Sequence, residues 1–149
     1  MPDTVRRIAH YTVTVPNRPG AAFNVLAALV SAGINLLACS GTPQGRRARI
    51  DVVPDDPRKF GRVAKKAGFA FDAKRAGFLI QGDDRPGALA EYLKRLADAE
   101  INVAGIDGVT AGAGRWGAIL WVESADLARA ARTLRARRER RQIDGPPER

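Results

Sequence analysis

A tetrapeptide and a tripeptide recur in this chain at one common spacing. Asn17-Arg18-Pro19-Gly20 returns as Asp84-Arg85-Pro86-Gly87, and Gly33-Ile34-Asn35 returns as Glu100-Ile101-Asn102, each 67 residues later. Two separate motifs sharing one offset mark an internal duplication. The constraint on folding is severe, because the 149 residues are then two copies of one unit of about 70 residues. A unit that small buries only about 60% of its unfolded surface alone. Each copy is therefore expected to share a core with the other copy or with another chain.

Strand and helix signals alternate in the same order in both copies. Ile8 to Val15 is rich in β-branched and aromatic residues and reads as a strand. The breaker cluster Pro16 to Gly20 follows. Ala22, Val25, Leu26, Leu29 and Val30 then recur at the spacing of one helical face, and Gly33 stands where a left-handed cap ends a helix. Ile34 to Ser40 reads as a strand, Gly41 to Gly45 as a turn and Arg47 to Val53 as a strand. A second helix opens at Pro54-Asp55-Asp56-Pro57 and stops at Gly68, and Phe69 to Lys74 reads as a fourth strand.

The second copy repeats this with Phe78 to Gln81, a helix faced by Leu89, Tyr92, Leu93, Leu96 and Ala97, and strands over 102–109 and 117–123 around a turn at 110–114. Ser124 is placed to cap the last helix. Arg135 to Arg141 stands where a fourth strand would be. The pattern β-α-β-β-α-β predicts an α+β fold of two ferredoxin-like units in tandem, each an antiparallel sheet with its helices on one face. The expected division is 7–75, 76–141 and a tail at 142–149.

Composition excludes more than it selects. Hydrophobic residues make up 45% of the chain, enough for a folded core. No apolar run approaches the roughly 20 residues that cross a bilayer, and nothing at the N-terminus resembles a signal peptide. With Cys39 the one cysteine, an internal disulfide is impossible, and a cytoplasmic location fits. The net charge of +9 is concentrated: residues 129–149 hold eight arginines against three acids.

Catalytic chemistry has little to stand on. The single histidine, His10, has Gly77 as its counterpart in the second copy and reads as a strand-edge residue; Cys39 reads as a small buried one. No His/Cys cluster has metal-ligand spacing and no nucleophile elbow is present. Gly112-Ala113-Gly114-Arg115-Trp116-Gly117 satisfies GxGxxG, but a strand follows it where a dinucleotide site needs a helix. It reads as a hairpin loop. No catalytic residue, metal or cofactor is expected.

The duplicated loop is the better candidate. Gly20 and Gly87 sit where a helix begins, with free N–H groups and a favourable dipole for an anion such as a carboxylate. Asn17 and Asp84 lie three residues earlier. Asn35 and Asn102 stand at the other end of the same helices, with amides able to meet a carboxylate or an ammonium. The same residues are also good helix-start and helix-exit chemistry, so local geometry leaves binding and structural readings both open.

Asn-Arg-Pro-Gly at the strand–helix junction, then Gly-Ile-Asn, with both repeated as Asp-Arg-Pro-Gly and Glu-Ile-Asn, resembles the ACT domain family. Asp55-Asp56-Pro57-Arg58-Lys59 and Lys66-Ala67-Gly68-Phe69 resemble the second helix of small stand-alone tandem ACT proteins. The resemblance spans about residues 7 to 136. It implies βαββαβ modules that bind an amino acid at an interface between ACT units and act as regulators or sensors. It further implies a homodimer, a regulated enzyme or transcription partner, and ligand contacts at Asn17, Gly20 and Asn35 in one copy and Asp84, Gly87 and Asn102 in the other.

The copies differ. Ala22 stands where the second copy has Leu89, and a carboxylate at Asp84 would repel a ligand carboxylate that Asn17 would accept. The Asn17 site is thus expected to suit a free amino acid better. Two other readings compete. A nucleic-acid-binding protein would use the Arg-rich C-terminus on phosphates, although Trp121 is the sole aromatic in the two third strands, where RNA-recognition sheets place several. An enzyme on the same fold would need a catalytic constellation that is not seen.

Overall fold

The computed structural model describes residues 3–72 and 75–137. The tail at 142–149 and most of the Arg-rich run lie outside the described residues. Elements follow in the order β1 Thr4–Pro16, α1 Ala21–Ser31, β2 Leu36–Gln44, β3 Arg47–Pro54, α2 Pro57–Ala67, β4 Arg75–Asp83, α3 Ala88–Asp98, β5 Val103–Gly112, β6 Arg115–Val122, a 3-10 turn Ser124–Asp126 and α4 Leu127–Leu134. They form two compact units. Among the described residues, one comprises Ala9–Ala76 and the other comprises 3–8 together with 77–137. Residues 3–8 thus belong with the second copy, and the division runs through β1.

In the Ala9–Ala76 unit the strand order is β2-β3-β1, all antiparallel, with Tyr11 opposite Val52 and Cys39 opposite Val52. Alternation along the strands sends Val13, Val15, Ile50 and Val52 to one face. There they form a core with Val25 and Leu29 of α1 and Phe60 and Ala64 of α2. Asp56 caps α2 by accepting from the N–H groups of Arg58 and Lys59, both at 3.1 Å, the chemistry the Asp-Pro start predicts.

In the other unit the order is β4-β6-β5, with the Thr4–Ile8 half of β1 beside β4. Phe78, Ile80, Leu120 and Val122 face Tyr92 and Leu96 of α3 and Ala130 and Leu134 of α4, and Val5 joins the same core. Both units are therefore α+β, with antiparallel strands and helices on one face, the class the sequence predicts.

Several local expectations are corrected. β2 runs through Gly41-Thr42-Pro43, and the turn is the shorter Gly45-Arg46; as an edge strand, β2 can hold a proline without losing a ladder bond. β5 likewise continues to Gly112, leaving a turn at Ala113-Gly114, so the GxGxxG pattern is a hairpin. Phe69–Asp72, the described part of the expected fourth strand, is not a strand. Its Phe71 packs edge-on to Phe60 with ring centroids 4.8 Å apart, and its backbone tie to β1 is Asp72 N–H donating to Thr12 O at 2.8 Å.

In the second unit the chain after α4 reaches the same β1 through Val5 and Arg7, which exchange backbone hydrogen bonds with Arg137 at 2.8 and 3.1 Å. Ser124 opens a 3-10 turn and makes no side-chain cap. The buried faces of α1 and α3 centre on Ala21, Val25 and Leu29 and on Ala88, Tyr92 and Leu96, leaving Val30 exposed and Phe23 beside it in the solvent. His10 is buried within β1, not at an exposed edge, and Cys39 is exposed, not buried.

The replacement of His10 by Gly77 has a packing cause. Gly77 and Gly105 both lie opposite Trp121 in the ladders, and a Cβ on Gly77 would sit 2.0 Å from the indole ring and 2.6 Å from Leu120 O. Gly77→Ala is expected to destabilise this unit by about 1–3 kcal/mol, the usual cost of overpacking. Urea denaturation followed by tryptophan fluorescence measures it, and an unchanged midpoint would refute the packing account.

Candidate ligand-binding loops

Both duplicated loops are built by the same backbone device. Gly20 and Gly87 are the N-caps of α1 and α3, in the left-handed region at φ 84° and 79°. That conformation costs a residue with a Cβ about 1–2 kcal/mol. A Cβ at either position would meet nothing within 4 Å. Glycine is therefore required by the backbone turn, and the space above the first helical turn is open. No side chain caps either helix; Ala21 N–H and Ala88 N–H turn back to Arg18 O and Arg85 O at 3.3 and 3.2 Å, and the next N–H groups of the first turn are left to solvent or a ligand.

Each loop is fastened to the neighbouring hairpin turn. Asn17 N–H donates to Arg46 O at 2.9 Å, and Asp84 N–H donates to Gly114 O at 2.8 Å. Asn17 adds a second tie, its Nδ2 donating to Gly45 O at 3.1 Å. A carboxylate has no donor, so Asp84 cannot repeat this bond. The difference between the copies is thus partly structural: Asn17 spends its amide nitrogen on the loop.

Asn35 and Asn102 are both exposed and stand just before the edge strands. Each is followed by a ladder irregularity, between Leu36 and Ala38 and between Val103 and Gly105. The irregularities are 67 residues apart, so the duplication preserved them. The backbone oxygen of Asn35 accepts from Asp55 N–H at 3.0 Å. Asn17 and Gly20 share one loop, whereas Asn35 lies beyond the far end of an 11-residue helix, about 16 Å away along its axis. Asp84 and Gly87 are separated from Asn102 in the same way. Within one unit these residues form two half-sites.

Sequence reasoning passed over the arginine inside the repeated motif. Arg85 holds Asp3 at 3.1 Å and Glu91 at 3.0 Å, and the Tyr92 hydroxyl donates to Asp3 Oδ2 at 2.7 Å. The Arg85 hydrogen bond holds the Asp3 carboxyl below its ordinary 3.8 against the opposing effect of burial. Burial, with the Asp3 hydrogen bond, pushes the Tyr92 hydroxyl up to about 12. Glu91 in the first turn of α3 was the available signal; Asp3, 82 residues before Arg85, offered none.

Residues 78–142 match the family model described as ACT domain. The matched stretch falls within the second unit. No curated protein matches the sequence. Among solved structures, protein BT0572 from Bacteroides thetaiotaomicron aligns with a TM-score of 0.75 at 19% identity, covering 88% of each chain. The ligand-free regulatory subunit of aspartate kinase from Thermus thermophilus aligns with a TM-score of 0.61 at 18% identity, over 89% of this chain and 94% of that one. At such identities the likeness is one of fold, and it extends beyond the ACT match to both units.

Two outcomes test the loop architecture. Asn17→Asp removes the Gly45 bond and is expected to cost roughly 1 kcal/mol, while Asp84→Asn is near neutral; chemical denaturation of both variants checks this. Asp3, with its folded pKa depressed, stabilises the protein above its ordinary 3.8 and loses that contribution as pH falls below it. Asp3→Asn should flatten the acid limb of the stability–pH profile, and an unaltered limb would show that the pair contributes nothing.

Proposed function

We propose that this chain is a non-enzymatic regulatory protein whose ACT units bind a free amino acid. The observation that carries the reading is the repeated strand–glycine–helix loop, with a left-handed N-cap and open space at both Gly20 and Gly87. A ligand carboxylate would meet the helix N–H groups and dipole there. An amide at Asn35 or Asn102 supplies the second polar contact, accepting from an ammonium through its oxygen. The fold shared with a regulatory subunit of aspartate kinase supports a role exerted on a separate partner, an enzyme or a transcription factor.

An amino acid carries its two charges one carbon apart and cannot bridge about 16 Å of helix. The loop set and the strand-start set are completed when a second copy of the chain brings one to the other, so the protein functions as a homodimer. Among the described residues no helix is long and apolar enough to cross a membrane, which accords with action in the cytoplasm.

Asn17 and Asp84 give the two loops different charge, and the Asn17 loop takes the amino acid. A thermal-shift screen against the twenty amino acids is expected to raise the melting temperature with one or a few of them. Titration calorimetry should then find binding abolished by Gly20→Val and little altered by Gly87→Val. A flat screen, or equal loss from both variants, would overturn the reading.

A further inference from the structure

A cleft of about 570 Å³ lies inside the second unit and borders the Gly87 loop through Arg85. Its charged walls are Asp3, Glu91, Arg85, Arg95, Arg135 and Arg137. Val5, Tyr92 and Leu134 give it an apolar floor, all three belonging to the buried core. The volume falls within the range of small-molecule sites. Asp3 and Glu91 both hold Arg85. Among the described residues no carboxylate pairs with Arg95, Arg135 or Arg137. Four guanidiniums against two carboxylates leave the lining with an excess of positive charge. Arg95 is held over the Tyr92 ring, 5.0 Å from its centroid, while the Tyr92 hydroxyl is anchored on Asp3.

The duplication supplies a control within the same chain. At the offset of 67, Arg95, Arg135 and Arg137 correspond to Ala28, Gly68 and Ala70. The correspondence is structural at the helix ends. Phe69 N–H donates to Ala64 O at 3.2 Å, and Ala136 N–H donates to Ala131 O at 2.9 Å, the same bond one repeat later. Gly68 and Arg135 are both the left-handed C-caps of their helices, at φ 76° and 53°. One unit uses the residue that this conformation favours; the other places an arginine there in spite of the cost. The three arginines thus arise together in one copy only, around one cleft, and one of them sits on strained backbone.

We propose that this cleft binds a small organic or inorganic polyanion, a phosphate or polycarboxylate bearing at least two negative charges. Guanidinium groups suit both, because their planar forks match phosphate and carboxylate oxygens in pairs. The cleft borders the Asp84–Gly87 loop through Arg85, whereas the amino acid is assigned to the Asn17 loop of the other copy, so the two proposals fail independently.

Titration calorimetry of the full chain with pyrophosphate and with citrate tests the proposal. Saturable binding of one or both at low ionic strength is expected, weakening as sodium chloride is raised. Binding of pyrophosphate alone assigns phosphate chemistry, and of citrate alone carboxylate chemistry. Arg135→Gly restores the residue the backbone favours, so it should keep or raise the melting temperature while weakening the anion about tenfold or more. Arg95→Ala/Arg135→Gly/Arg137→Ala copies the first unit and should abolish saturable binding. Undiminished binding by that folded triple variant would place the anion on other basic residues and overturn the proposal, as would no saturable binding of either anion to the unsubstituted chain.

Discussion

β1 is one uninterrupted strand whose two ends serve different cores. Its first half, Thr4–Ile8, places Val5 among Phe78, Tyr92, Leu120 and Leu134. Its second half places Val13 and Val15 among Val25, Leu29, Ile50 and Phe60. Burial of apolar surface is the main favourable term in folding, and here one segment supplies part of it to both units. The same half of β1 is preceded by Asp3, which fixes Arg85 and Tyr92 and so forms one wall of the arginine cleft. The chain after each second helix reaches only a short way along β1, through Asp72 in one unit and Arg137 in the other.

Much of the fold was legible because duplication doubles every signal. The strand–loop–helix order, the glycine caps, the Asp-Pro helix start and the false dinucleotide pattern could all be read from local chemistry. Where reading failed, the deciding contacts were distant in sequence. Thr4-Val5-Arg6-Arg7 has too much charge to look like a strand, and its partner β4 begins 71 positions after Thr4. Gly41-Thr42-Pro43 has turn composition, yet pairing with Arg49 and Ala48 holds it in an edge strand. Phe69–Asp72 has strand composition, yet its phenyl rings are drawn into the helical core. Cys39 and His10 exchanged their expected environments for the same reason: exposure is set by neighbours in the sheet and not by residue type.

The candidate sites were legible in part. The residues of the glycine loops were singled out by repetition, and the structure keeps each loop together. Their partition into half-sites at opposite ends of a helix follows from helix length and was not drawn from residue identity. The arginine cleft was hidden because its residues come from a loop, two helices and the N-terminal segment. Only the difference between copies, Ala28 against Arg95 and Gly68 against Arg135, carries a trace of it in sequence.

The division of β1 also sets an order of events during synthesis. Thr4–Ile8 leaves the ribosome before the core it completes, since Phe78, Ile80 and Leu120 follow 70 or more residues later. At about 5–20 residues per second, this strand waits several seconds with its backbone groups unclaimed. The Ala9–Ala76 unit can close in that interval, since all its own strands and helices have been made. A segment made before the whole of the Ala9–Ala76 unit is thus placed after it, and its charges at Arg6 and Arg7 suit a strand edge that must stay soluble while it waits.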